Sequence, residues 1–122
     1  MVNKRNTDHT LNAKDLAEAK EILISKFIIG IYDRLEESLE RFETFFGWNL
    51  SSDSINKMHA TCRHQVVSKT MAREYNLNAV VPEKDSLDYM ALVEKNSFDM
   101  QLYEYARFLY NYQGRVLFGV IE

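Results

Sequence analysis

The chain has 122 residues, 46% hydrophobic and 27% charged, with a net charge of -3 and a pI near 5.6. That length fits one domain with a real core and no need of disulfide or metal staples, and the composition excludes a disordered or fibrous chain. The acidic balance excludes a global positive field of the kind that draws a protein to nucleic acid or to an anionic membrane. With four glycines and one proline, Pro82, the chain has too few turn residues for an all-β design and reads as mainly helical. Cys62 is the single cysteine, which leaves no intramolecular disulfide. The opening MVNKRNTDHTLNAKD lacks the apolar core of a signal peptide, and no apolar run is long enough to span a bilayer. The expectation is a soluble chain, cytoplasmic by default.

Residues 1–11 are polar and read as a flexible tail ahead of a single domain over 12–122. From Asn12, NAKDLAEAKEILIS combines a capping residue, an acid three positions later and good helix formers, with Leu16, Ala19 and Leu23 along one face. It predicts a helix over 12–25. KFIIGIYD is apolar on both faces, rich in β-branched residues and too short for a buried helix, so a buried strand is expected at 26–32. Asp33 then offers a cap with Glu36 at the reciprocal position. RLEESLERFETFF carries Leu35, Leu39, Phe42 and Phe46 on one stripe until Gly47 stops it, giving a helix over 34–46. Residues 49–81 have weak periodicity and are expected to be irregular, with a part helical. After Pro82, DSLDYMALVEKN predicts a short helix over 83–95. Ser97 offers a cap for a last helix over 98–113, with Phe98, Leu102, Tyr105, Ala106, Leu109 and Tyr112 as its buried face and Gly114 as its stop. The fold class so read is mostly α with one short β-strand. A lone buried strand leaves donors and acceptors unpaired at on the order of 1–3 kcal/mol each. The chain therefore reads as incomplete, its strand pairing with a second copy or with another chain.

FIIGIYDRLEESLERFETFFGW followed by ALVEKNSFDMQLYEYARFLY resembles the C-terminal part of the carbohydrate sulfotransferases that use 3′-phosphoadenosine 5′-phosphosulfate. Gly30, Asp33, Leu35, Glu37, Ser38 and Leu39 match that family's strand, acidic turn and following helix. Asn96, Asp99, Leu102, Tyr103 and Ala106 match its pattern N-x-x-D-x-x-L-Y-x-x-A, and the resemblance covers roughly residues 12–112. It implies a C-terminal α-β-α portion of a P-loop-like α/β sulfotransferase fold and a carbohydrate acceptor. The family's donor loop, rich in Gly, Lys and Ser or Thr, holds phosphate because backbone N–H groups and a helix N-terminus converge on the anion. No such loop occurs here: the glycines are isolated at 30, 47, 114 and 119, and there is no Gly-Lys-Ser or Gly-Lys-Thr. The resemblance thus implies a portion that binds no cofactor alone and works with a complementing N-terminal sulfotransferase portion or as a homo-oligomer. It assigns no catalytic residue to this chain.

Lys57, Arg63, Lys69 and Arg73, joined by His59 and His64, make residues 49–78 locally positive. They are candidate contacts for the donor's phosphates or for an acidic glycan, since Arg suits bidentate anion contacts; an ordinary solvated helix face is the competing explanation. Trp48, just past a helix end, is the candidate for sugar stacking, against burial on the preceding helix. His59, Cys62 and His64 are metal-ligand types, but a structural zinc site needs four ligands, usually as two spaced pairs, and no second pair occurs. They read as solvated loop residues, and Cys62 has no orienting group that would make it a nucleophile. Asn96, Asp99 and Tyr103 read as structural: Asn96 at a helix junction, Asp99 in a first helical turn, Tyr103 in packing. The rival to an enzyme portion is a non-catalytic helical module that buries its aromatic face in a dimer or a partner.

Overall fold

The computed structural model describes residues 10–48, 53–75 and 82–121. They form five α-helices and one 3-10 turn: α1 Ala13–Lys26, the turn Tyr32–Arg34, α2 Leu35–Phe45, α3 Asp53–Tyr75, α4 Leu87–Lys95 and α5 Ser97–Phe118. No strand occurs among the described residues, so the chain is all-α. The expected strand at 26–32, and the α/β sulfotransferase-like portion built on it, are overturned. The chain divides into two compact units, Met1–Ile29 with Pro82–Glu122, and Gly30–Val81. Of the expected flexible tail at 1–11, all but Thr10 and Leu11 lies outside the described residues.

In the first unit, α1 starts where its sequence places it. The Asn12 side chain accepts from the N–H groups of Lys14 at 2.9 Å and Asp15 at 3.2 Å. Asp15 accepts in return from the Asn12 N–H at 3.0 Å, completing a capping box. Ser86 caps α4 by accepting from the Tyr89 N–H at 3.1 Å. α4 stops at Asn96, whose side chain donates to the Leu92 carbonyl at 2.7 Å, and α5 follows at once from Ser97. Gly114 does not stop α5 but is buried inside it; the left-handed residue is Gly119, at φ +65. A mid-helix glycine costs only about 1 kcal/mol relative to alanine, too little to end α5 there.

α1 packs against α5. Leu109 and Tyr110 lose all exposure, with Gln113 and Gly114 buried beside them. Phe98, Leu102, Tyr105 and Ala106 are half-buried, whereas Tyr112, expected inside, is exposed. The buried stripe of α5 is thus rotated toward Tyr110.

Beyond α1 the chain leaves the helix in extended conformation at Phe27, φ -124 and ψ 140. Here Gln113 substitutes for a neighbouring strand. Its side-chain oxygen accepts from the Ile29 N–H at 2.9 Å, and its side-chain nitrogen donates to the Phe27 carbonyl at 2.8 Å. A carboxamide carries an acceptor and donors side by side, as a peptide edge does.

The second unit treats Ile31, also extended at φ -121 and ψ 132, in the same way with a hydroxyl. The Ile31 N–H donates to Ser38 Oγ at 2.9 Å, and Ser38 in turn donates to the Arg34 carbonyl at 2.8 Å. Ser38 is 1% exposed. A Cβ at Gly30 would lie 2.7 Å from Phe42 Cζ and 3.3 Å from Ser38 Cβ, so any side chain there would displace the ring that α2 lays over it. These contacts explain why no ladder forms: the extended segment has side chains, not a second strand, for partners.

The Asp33–Glu36 capping box is not formed as expected. The chain enters α2 through the 3-10 turn that contains Asp33, and the residue before α2 is Arg34, which makes no side-chain cap bond. Gly47, at φ +68, ends α2 as its sequence predicts, in a Schellman arrangement: the Trp48 N–H bonds the Glu43 carbonyl at 2.8 Å and the Gly47 N–H that of Thr44 at 3.3 Å.

Where irregular chain is expected, residues 53–75 form the long helix α3; the rest of 49–81, including LNAVV, lies outside the described residues. Ile55, His59, Arg63, Val67 and Thr70 are half-buried at helical spacing, but three of them are polar, which hides the period from a hydrophobicity pattern.

Gln113→Ala should destabilise the chain by about 1–3 kcal/mol, because it strands a buried N–H and a carbonyl, and Leu109→Ala by about 2–5 kcal/mol, both read by urea unfolding. Gln113→Glu should depend on pH. Burial beside the Phe27 carbonyl raises the new carboxyl's pKa in the folded state, so its stability is full below the ordinary glutamate pKa and is lost as pH rises through the raised value.

Candidate functional site

Within the second unit, α2 packs on α3 and leaves a surface cavity of about 340 Å³. Leu39, Phe42 and Val66 supply its apolar lining, and Glu43, Trp48, His59, Cys62 and Arg63 complete it. Glu43 sits near the end of α2, and the Schellman turn at Gly47 brings Trp48 back alongside. His59 is three and four residues before Cys62 and Arg63, and Val66 four and three after them, so α3 presents all four on one side.

Arg63 Nη1 lies 2.8 Å from Glu43 Oε2, with side-chain exposures of 13% and 18%. At that burial the two charges see little water, so their attraction is worth far more than a surface pair's. The pair also cancels its own charge within the cavity. Arg63 Nε is buried without a hydrogen-bond partner, so the guanidinium is held chiefly through its end. The Trp48 ring is 56% exposed and stacks on Phe46 at 5.0 Å and 22°, while Phe46 meets Phe45 edge-on at 5.2 Å. Burial of Trp48 on α2 is therefore not what the fold does with it: the ring forms an exposed aromatic wall.

Of the candidate anion or substrate contacts, the structure brings Trp48 and Arg63 into one cavity. Lys57, Lys69 and Arg73 are exposed on α3 and do not line it. His59 and Cys62 share the cavity, but His64 stands apart on the exposed side, its Nδ1 3.7 Å from Glu36. Among the described residues no group of three or more His, Cys, Asp and Glu side chains is placed to hold a metal ion.

The residues of the family pattern are engaged in holding local structure. Gly30 and Ser38 act as described, and Asp33 lies in the 3-10 turn. Glu37 bridges Arg34 at 2.7 Å and the buried Arg41 at 2.7 Å. Asn96 joins α4 to α5. Asp99, exposed in the first turn of α5, borders an apolar groove of about 300 Å³ in the first unit with Asp15, Leu16, Leu23 and Leu102. Tyr103, expected to pack, is 42% exposed.

Two residues central to this geometry escaped the sequence. Glu43 is twenty positions from Arg63, and nothing in the sequence joins them unless α3 is recognised as a helix. Gln113 did leave a signal, as a lone amide four residues after Leu109 on an apolar helix face.

No protein-family model, curated protein or solved structure matches the chain. A double-mutant cycle of Glu43→Ala with Arg63→Met should return a coupling of about 1.5–3 kcal/mol in chemical unfolding, the range of a charge-assisted hydrogen bond sheltered from water.

Proposed function

We propose that this chain is the C-terminal portion of a carbohydrate sulfotransferase that uses 3′-phosphoadenosine 5′-phosphosulfate, and that it works with a second portion carrying the donor-binding loop. In that reaction the acceptor hydroxyl loses its proton to a base as its oxygen bonds sulfur, and the sulfur–oxygen bond to the donor's phosphate breaks while cations stabilise the departing oxygen. The donor loop belongs to the complementing portion, and this chain contributes scaffold and acceptor contacts.

The observation that supports this most is the use to which the pattern residues are put. Gly30 and Ser38 sit together around Ile31, one giving room to Phe42 and the other bonding the main chain, while Glu37 ties Arg34 to Arg41. A family pattern that survives in a divergent chain would mark such a device. Further support comes from the backbone. Among the described residues no hydrogen bond is made by the N–H or carbonyl of Ile28 in the first unit, so both are available to a polypeptide that docks there.

A second reading, a non-catalytic helical module that dimerises or binds a partner, is favoured by the outer face of α5. Tyr105, Phe108 and Tyr112 stack in succession at 6.1 and 6.4 Å, and Phe108, Tyr112 and Val116 are all exposed. Such a ladder gains by burial against another surface.

The deciding experiment co-expresses the chain with a candidate portion bearing a phosphate-cradling loop and follows transfer of labelled sulfate from the donor to a glycan panel. Transfer that requires both portions is expected; a co-purified pair that binds donor yet sulfates no carbohydrate would overturn the enzyme reading. Alone, the chain should show no saturable binding of 3′-phosphoadenosine 5′-phosphate by calorimetry. In hydrogen exchange the amides of Ile29 and Ile31 should be protected and that of Ile28 fast, slowing when the complementing portion docks.

A further inference from the structure

We propose that the cavity between α2 and α3 is a binding site for a neutral pyranose, with Trp48 as the stacking wall and the Glu43–Arg63 pair as the hydroxyl-reading group. As the acceptor subsite of a sulfotransferase it rests on the function proposed above; as a sugar site it rests on geometry alone. The C–H face of a pyranose is apolar and faintly positive, complementary to the negative face of an aromatic ring. Trp48 offers such a face already oriented: its ring is stacked on Phe46, and its backbone N–H is tied to the Glu43 carbonyl at 2.8 Å. Trp48 is left 56% exposed, and covering its apolar ring is favourable; the C–H face of a pyranose chair does so without a hydrophobic partner chain.

The polar side of the cavity selects the class. Glu43 and Arg63 hold each other 2.8 Å apart in the cavity lining, so their acceptor and donor atoms are fixed beside the ligand's place. Adjacent hydroxyls of a sugar each donate and accept, and they match such a pair. The pair is internally neutral, and the exposed cations Lys57, Lys69 and Arg73 lie outside the cavity. A uronate or a sulfated sugar would therefore bring in a charge that no lysine or unpaired arginine of the lining answers. The volume of about 340 Å³ lies at the small end of ligand sites, which run from roughly 300 to 1,000 Å³, and suits one or two rings.

The test uses the full chain and needs neither donor nor second portion. Trp48 is the only tryptophan, so its emission reports on this cavity directly. The chain is titrated with cellobiose, lactose, maltose and N-acetylglucosamine oligomers, and in parallel with glucuronate and a sulfated disaccharide; saturation-transfer NMR reads variants that lack the indole. A saturable emission change with at least one neutral sugar is expected. Trp48→Ala should weaken that sugar roughly tenfold or more, and Trp48→Phe should restore part of the affinity. Lys57→Ala and Lys69→Ala should leave it unchanged. Circular dichroism of Trp48→Ala should match the parent, since the ring is outside the core. Absence of binding by every neutral sugar, tighter binding of the charged sugars, or binding indifferent to Trp48→Ala would each overturn the proposal. Sulfate transfer by the complemented enzyme without sugar binding here would remove this site and spare the transferase. Sugar binding without transfer would do the reverse.

Discussion

Everything in this chain turns on how an extended run of apolar backbone is satisfied without a second strand. Phe27, Ile29 and Ile31 carry N–H and carbonyl groups that would be costly to bury bare. A carboxamide and a hydroxyl from helices meet that demand. Gln113 serves Phe27 and Ile29 within the first unit, and Ser38 serves Ile31 within the second. Both side chains are themselves buried, and each is satisfied by the backbone it holds, so donor and acceptor protect one another. The helices are positioned by this exchange as much as by apolar packing: α5 must present Gln113 inward, which brings Leu109 and Tyr110 to the same buried side, and α2 must present Ser38, which brings the Phe42 ring over Gly30.

The apolar packing around this arrangement is thin. Among the described residues the buried hydrophobic side chains are Ile29, Ile31, Leu109 and Tyr110, whereas Phe45, Phe46, Trp48, Phe108 and Tyr112 all stand exposed. Single exposed apolar residues are ordinary on a soluble protein, but stacked groups of them are not. Two such groups occur: Phe45–Phe46–Trp48 beyond α2 and Tyr105–Phe108–Tyr112 on α5. They differ in what accompanies them. The first borders a cavity whose lining includes a sheltered ion pair. The second is an apolar ladder along a helix, the form that a macromolecular surface covers.

Charge follows the same division of labour. Among the described residues Arg63 and Arg41, the cations drawn furthest from water, are committed to Glu43 and Glu37. The lysines of α3 remain in solvent, where their attraction for anions is weak and screened by salt. The local excess of positive residues in the sequence is therefore divided in the fold: Arg63 is paired in the cavity, while Lys57, Lys69 and Arg73 are exposed outside its lining.

From its residues alone the chain could be read as mainly helical, with α1 starting at Asn12, α2 ending at Gly47 and Leu109 facing inward, since caps, left-handed glycines and hydrophobic period are local properties. In the run FIIGIYD the burial of Ile29 and Ile31 was legible, but the strand expected there does not form: Phe27 and Tyr32 stand exposed, Tyr32 and Asp33 enter a 3-10 turn, and an apolar β-branched stretch looks the same whether a strand or a side chain answers its hydrogen bonds. α3 stayed hidden because its half-buried face includes His59, Arg63 and Thr70, whose burial depends on what α2 sets against them. The site divides the same way. Trp48 and Arg63 could be nominated by residue type, but their meeting, the Glu43 partner and the exclusion of Lys57, Lys69 and Arg73 are decided by the packing of α2 on α3, which brings together residues twenty apart that no local pattern connects.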